Sequence, residues 1–405
     1  MREGWRIVKL DEIISFERGL TYAKGDEVAH SSVGVLRSNN VDLTTQSLNL
    51  DEIKYLREDF EVPERKKVRK SSLLMCMSNG SKDHLGKVAL IDEDLGYAFG
   101  GFMGLLTPDE TKVVPKYLYY ALASKSFKDY IHSLADGANI NNLKYKDLAA
   151  YDILLLPLPE QQRIVGILDR EFVKIDALKA NAEKSLQAAK DLFQATTDTM
   201  MSNGQWRELT IGEIAKIKGG KRVPKGYKLE KEPTAHRYIR VADFTDLGTI
   251  RTESVLYISD EVYKSIKAYT ISSKDVYISI AGTIGKSGII PDTLDGANLT
   301  ENACKLVLGP NFYNRFVFFA TKTSSFKKQV ETLTMQAAQP KLALTRLATI
   351  RVRVPSSIKE QETIVERLDG IADTSALLQQ NYQKTLTLCD DLKQSLLRKA
   401  FIGEL

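Results

Sequence analysis

The chain has 405 residues, 43% hydrophobic and 27% charged, with a formal net charge of +5, the composition of a globular protein long enough for two or more cored domains. No apolar run approaches the ~18 residues of a membrane span, and no apolar signal segment follows the N-terminus. Three distant cysteines (Cys76, Cys304, Cys389) and four scattered histidines argue against a disulfide framework or a metal site, so a reduced, cytoplasmic protein without membrane contact is expected.

In chain order, Trp5-Arg6 opens a segment holding Leu10, Glu12-Ile13 and Gly19. A β-rich run at Ser72–Met77 and a helix at Tyr117–Tyr130 follow. Pro157-Leu-Pro159-Glu160 then places proline in the first turn of a long helical stretch. The same order begins again at Trp206-Arg207, with Ile211, Glu213-Ile214 and Gly220. Leu36-Arg37 answers Ile239-Arg240, Gly86-Lys87 answers Gly285-Lys286, and Ser126-Phe127-Lys128 answers Ser325-Phe326-Lys327. A second β-rich run (Asp275–Ile280), a second helix (Arg315–Val330) and a second helical stretch entered by the capping box Ser357-x-x-Glu360 complete the copy. An internal duplication predicts domains at 1–156 and 204–354 and helical regions at 157–203 and 355–405. The fold class is mixed α/β (α+β).

Both helical regions carry apolar residues at 3-4 spacing. The stripes are Ile164, Leu168, Ile175, Leu178, Leu186, Ala189 and Leu192, then Ile364, Leu368, Ile371, Leu378, Tyr382, Leu392 and Leu396. Helices of about 60 Å at ~1.5 Å per residue must bury such a stripe outside their own domains. An intramolecular antiparallel coiled coil separating the two domains, related by a pseudo-two-fold axis, is the expected solution. Packing onto each domain separately, or an intermolecular coiled coil, is the competing one.

Charge follows the division. Residues 159–203 hold six Lys/Arg against seven Asp/Glu, and residues 355–405 six against eight, which leaves the remainder at +8. Basic domains suit a polyanion, and a duplicated basic protein suits double-stranded DNA with two half-sites read in the major groove. Base-edge readout needs polar or cationic loop residues. In the first domain the candidates are Arg37, Asn39, Asn40, Ser78, Asn79, Lys82, Lys87, Asn141 and Lys144. In the second they are Lys221, Arg222, Arg240, Thr283, Lys286, Gln336, Gln339 and Lys341. The recurring pairs Arg37/Arg240 and Lys87/Lys286 suggest phosphate positioning or structure. Base readout should lie where the copies disagree.

Catalytic readings fail on residue type. Gly282-Thr-Ile-Gly285-Lys286-Ser287 lacks the glycine a phosphate loop needs at position 280, which is Ile. No two prolines adjoin, so the Asn/Asp-Pro-Pro-aromatic loop of an adenine methyltransferase is absent. Gly100-Gly101 is too short a glycine signal for a cofactor pocket. A scaffold built on the helices alone, never meeting DNA, remains the alternative function.

The strings Leu156-Pro-Leu-Pro-Glu160-Gln161-Gln-Arg-Ile164-Val165 and Val354-Pro-Ser-Ser-Ile-Lys-Glu360-Gln361-Glu-Thr-Ile-Val365 resemble the entries into the conserved helices of type I restriction-modification specificity subunits. The ending Arg398-Lys-Ala-Phe401-Ile-Gly403 and the loop Thr283-Ile-Gly285-Lys286 are similar to that family as well. The resemblance implies two target recognition domains and two conserved helical regions on a chain with no catalysis and no bound cofactor. It implies as partners DNA, two methyltransferase subunits carrying S-adenosylmethionine, and in some assemblies a restriction subunit using ATP and magnesium. The first helix departs from the pattern, ending Leu192-Phe-Gln-Ala-Thr-Thr-Asp-Thr-Met200-Met201, which puts exact symmetry of partner docking in doubt.

Overall fold

The computed structural model describes residues 4–135, 142–334 and 341–405. The chain forms two compact units, one of residues 1–182 with 384–405, the other of residues 183–383. Each unit therefore takes in parts of both long helices, Leu158–Ser202 and Ile358–Ile402.

In the first unit a four-stranded antiparallel sheet runs in the order Ile14–Arg18, Met103–Pro108, Leu73–Cys76, Val88–Leu90. Leu73–Cys76 reads as a continuous apolar run because both its faces are covered. Leu73 and Met75 enter the core beneath the helices, while Leu74 and Cys76 enter a second core on the opposite face. A smaller sheet (Glu27–Val28, Lys54–Leu56, Val33–Leu36, Ala98–Phe99) pairs its last two strands in parallel. Arg6–Lys9 and Asp152–Leu155 form an antiparallel ribbon.

The second unit repeats this plan. Ala215–Gly219, Ala303–Leu308, Val276–Ser279 and Ser287–Gly288 form the four-stranded sheet. Leu256–Ile258, His236–Ile239 and Asn298–Leu299 form the smaller one, and Arg207–Thr210 pairs with Arg351–Val354.

The helix expected at Tyr117–Tyr130 is two, Pro115–Ala123 and Lys125–Ala135, and that at Arg315–Val330 is Asn314–Lys322 and Ser324–Thr334. The hydroxyl residue at each break is extended. Ser124 Oγ donates to the Ala121 carbonyl and accepts the Phe127 amide, ending one helix and capping the next, and Thr323 does the same with Ala320 and Phe326.

Each long helix is fixed to its domain by a fully buried glutamine. Gln161 Oε1 accepts the Val114 amide at 2.8 Å while its Nε2 donates to the carbonyls of Lys112 (3.0 Å) and Leu156 (2.7 Å). Gln361 makes the same three bonds, with the Tyr313 amide (2.9 Å) and the carbonyls of Asn311 (3.0 Å) and Pro355 (3.2 Å). Eight residues on, Asp169 holds Lys116 Nζ (2.9 Å) and the Tyr120 hydroxyl, and Asp369 holds the Arg315 guanidinium in a bidentate pair. Burial, together with the Asp169 carboxylate, pushes the Tyr120 phenol well above its ordinary pKa.

The helices pack antiparallel within each unit. In the first, Asp176 pairs with Lys393 (2.5 Å) and Lys179 with Asp390 (2.7 Å), three residues forward on one helix and three back on the other. Leu397 and Ala400 join Ile164 and Leu168 in one core. In the second unit Met201 shares a core with Val365 and Leu368, and Ser375 Oγ donates to the Ala189 carbonyl at 3.3 Å.

The buried stripe keeps Ile164, Leu168, Ile175, Ala189 and Leu368 of the expected one and departs from it at four leucines. Leu168, Ile175, Ala182 and Ala189, and likewise Leu368, Ser375 and Cys389, are buried on heptad positions. Leu178, Leu192, Leu378 and Leu392 are 56%, 66%, 39% and 48% exposed. Each lies three residues beyond a buried position. The flank of the seam is instead filled four residues beyond, by Phe172, Lys179, Leu186, Gln379 and Lys393. The aliphatic stems of the two lysines cover apolar surface while their ammonium groups reach Asp390 and Asp176.

Replacing Gln361 by Leu leaves one buried amide and two carbonyls without partners. At about 1–3 kcal/mol per buried orphan, partly relieved by relaxation, we expect a loss of about 2–5 kcal/mol in urea unfolding. A loss below about 1 kcal/mol would show that the clamp is not structural.

Candidate nucleic-acid interface

The candidate surface of the first unit is built where two backbone segments touch. A Cβ on Gly19 would lie 1.9 Å from the Gly100 carbonyl oxygen, and one on Gly220 would lie 2.0 Å from that of Thr300. Only glycine admits this approach, which explains its recurrence. Beside the contact in the first unit opens a cleft of about 1130 Å³. Arg37, Asn39, Ser78 and Asn79 line it, so four of the candidates, drawn from two separated loops, are brought together. Arg18, Tyr22, Lys24 and Phe102 line it too, along with Glu27 and Glu52. Sequence reasoning missed the first four. Arg18 directly precedes the recurring Gly19, and Phe102 follows the glycine pair Gly100-Gly101, signals that mark both positions as turn neighbours.

The recurring lysines belong to the fold. Lys87 is buried and its Nζ donates to the Val41 carbonyl at 2.7 Å; Lys286 Nζ donates to the equivalent Phe244 carbonyl at 3.2 Å and pairs with Asp246 at 2.8 Å. Burial draws the Lys87 ammonium below its ordinary pKa, while Lys286 holds the Asp246 carboxyl down. Thr283-Ile-Gly285-Lys286 is a hairpin turn, with Gly282 and Gly285 at positive φ and the Ser279 hydroxyl accepting the Lys286 amide at 2.8 Å. These bonds give each lysine a partner within its own unit, and Lys87, the buried one of the two, is the less available to a phosphate. Asn40 belongs to the fold as well. It is buried, its Oδ1 accepts the Arg37 amide, and its Nδ2 donates to the carbonyls of Asn49 and Glu52.

The recurring arginines differ. Asn40 and Asp243 occupy the same place, each accepting the amide of the arginine three residues earlier. Asp243 is fully buried and binds the Arg240 guanidinium through both oxygens, while the Ser254 carbonyl accepts a further bond at 2.7 Å. Arg240 is thereby committed to structure. Arg37 faces a neutral amide instead, and its buried Nε has no hydrogen-bond partner.

Lys82, Lys144, Lys221, Arg222, Thr283 and Lys341 are exposed. Asn79 donates to Ser38 Oγ and accepts the Ser81 amide, shaping its own loop. Lys221 lies over the Tyr269 ring at 5.7 Å, and Arg222 pairs with Glu301 at 2.5 Å. Burial works to raise the Glu301 carboxyl, but the hydrogen bond from Arg222 holds it below the ordinary value. Asn141, Gln336 and Gln339 lie outside the described residues.

A family model for the type I restriction modification DNA specificity domain matches residues 2–188 and again residues 203–387. The chain belongs to this family. The chain is 25% identical over 428 residues to the type I restriction enzyme StySPI specificity subunit of Salmonella potsdam, covering 100% of this chain and 89% of that one. It is 24% identical to the EcoKI specificity subunit of Escherichia coli K12 at the same coverage. Its fold matches a chain from a study of complex assembly and conformational transition of the type I R-M system, with a TM-score of 0.81, 18% identity, and 100% and 99% of the two chains covered. It matches the HsdS subunit of Thermoanaerobacter tengcongensis with a TM-score of 0.55 and 18% identity, over 100% and 98%. Among the described residues, no cluster of His, Cys, Asp or Glu could hold a metal ion and no helix is long and apolar enough to cross a membrane.

Arg240→Ala should strand the buried Asp243 carboxylate and lower stability by about 3 kcal/mol, read from the denaturation midpoint. An unchanged midpoint would contradict the structural assignment of Arg240.

Proposed function

We propose that the specificity subunit chooses the DNA sequence for a type I restriction-modification complex and performs no chemistry of its own. Each domain reads one half of a bipartite, asymmetric site in the major groove, and the long helices set the spacer and dock two methyltransferase subunits. S-adenosylmethionine belongs to those subunits, and ATP and magnesium to a restriction subunit where one joins. The complex works in the cytoplasm.

The observation that carries the reading is Arg37. A cation lining a cleft together with Arg18 and Lys24, with the neutral Asn40 where the second unit has a carboxylate, suits a phosphate or a guanine edge. The exposed leucines on the long helices, Leu178, Leu192, Leu377, Leu388 and Leu392, supply apolar surface for docking.

The first test is the adenine methylation pattern of cells expressing the full chain with its modification subunit. Two unlike half-sites with a fixed gap support the proposal, whereas a continuous motif, with the partner active, refutes it. Arg37→Ala should weaken DNA binding about tenfold or more and flatten the log–log salt dependence by roughly one unit. An unaltered slope and affinity would remove Arg37 from the interface.

Removing seven residues from the middle of each long helix keeps the heptad stripe in register and shortens each by about 10 Å. The gap in the methylated motif should then contract by roughly one to three base pairs, since base pairs rise ~3.4 Å. A methylated motif with its gap unaltered would refute the ruler.

A further inference from the structure

The turn that touches Gly19 and its counterpart that touches Gly220 have one backbone and different side chains. The Leu20 amide donates to the Phe99 carbonyl at 2.7 Å, and the Lys221 amide to that of Leu299 at 2.8 Å. Gly100 donates to Leu36 at 2.8 Å, and Thr300 to Ile239 at 3.0 Å. The Phe102 carbonyl accepts the amides of Met77 and Ser78 (2.8 and 3.1 Å), and the Asn302 carbonyl those of Ile280 and Ala281 (2.8 and 3.2 Å). Three residues of each turn are thus held by bonds that involve no side chain, so residue type at positions 102 and 302 is free to vary without disturbing the frame. The tips read Gly100-Gly101-Phe102 and Thr300-Glu301-Asn302.

Phe102 is 68% exposed at the lip of the cleft that holds Arg37. An exposed aromatic ring with no core to fill is costly in water, and a base edge bearing a methyl group would cover it. In the second unit the same slot carries a carboxamide, the group that pairs in bidentate fashion with adenine. Its neighbour Glu301, kept ionised by Arg222, is an acceptor suited to a cytosine amino group.

We infer that positions 102 and 302 are equivalent specificity-determining positions, Phe102 contacting a thymine methyl in one half-site and Asn302 an adenine in the other. The inference rests on the two-domain DNA reading proposed above and assigns the bases to particular side chains.

The reciprocal variants Phe102→Asn and Asn302→Phe test it, each expressed as the full chain with its modification subunits and read by methylome sequencing and by binding to randomised duplexes. Phe102→Asn should change the preferred base at one position of the first half-site by about tenfold or more and leave the second half-site as it was, with Asn302→Phe doing the converse. An unaltered motif overturns the inference while leaving the two-domain reading intact. Uniform weakening on all sequences also overturns it, since that marks a contact that positions but does not read. If Phe102→Asn lowers the melting temperature, Phe102→Leu decides: retained thymine preference supports the assignment, and a lost preference overturns it. A wild-type complex without a split motif would instead sink the underlying reading.

Discussion

A buried glutamine at the first turn of each long helix is the interaction on which the architecture depends. The carboxamide is the one side chain group that can accept from a backbone amide and donate to two carbonyls from the same position. Gln161 and Gln361 use all three bonds, joining the helix to the residue after the strand that leads into it, to the loop before the helix Pro115–Ala123 or Asn314–Lys322, and to the amide of the residue that caps that helix. With Asp169 and Asp369 as second points of attachment, each domain is held against rotation on its helix. The apolar cores that include Ile164, Leu168, Val365 and Leu368 supply the larger burial free energy, but they are tolerant of small shifts where the hydrogen bonds are not.

On that frame the two copies spend equivalent residues differently. One substitution separates Arg37 from Arg240: a neutral Asn40 leaves the first arginine's Nε without a partner, and a buried Asp243 binds the second. Lys87 and Lys286 show the opposite case, where recurrence reflects a shared structural task, each ammonium satisfying a carbonyl that the turn would otherwise leave exposed to the interior. Conserved position within a repeat is therefore compatible with either structure or binding, and the counter-charge decides which.

A protein whose task is to select sequences needs a surface that can change while its scaffold does not. Here the scaffold is secured by backbone hydrogen bonds and by glycines at the two places where main chains touch, Gly19 and Gly220. At 102 and 302 the frame is made by main-chain bonds and not by the side chain, so substitutions there act on recognition with small consequence for folding.

The duplication, the mixed α/β class, the sites of the long helices and their entry motifs were legible in the amino-acid sequence, because helical and extended periodicity and turn chemistry are local. The double match of the specificity-domain family agrees with that reading. The side of the helices that is buried was legible only in part: Ile164, Leu168, Ile175 and Ala189 lie on the expected stripe, but 3-4 spacing fits the exposed leucines Leu178 and Leu192 as well as the buried Ala182, and the choice depends on which neighbour arrives. The role of each lysine was equally out of reach, since Val41 and Phe244 reach Lys87 and Lys286 only through the folded chain, whereas the Asp243 that binds Arg240 lies three residues away in sequence and only its burial came from the fold. Sequence alone settled what is repeated, because repetition is a property of order along the chain. Tertiary structure decided which repeated residues remain available at the surface, because availability depends on burial and on the partners that the fold brings against each side chain.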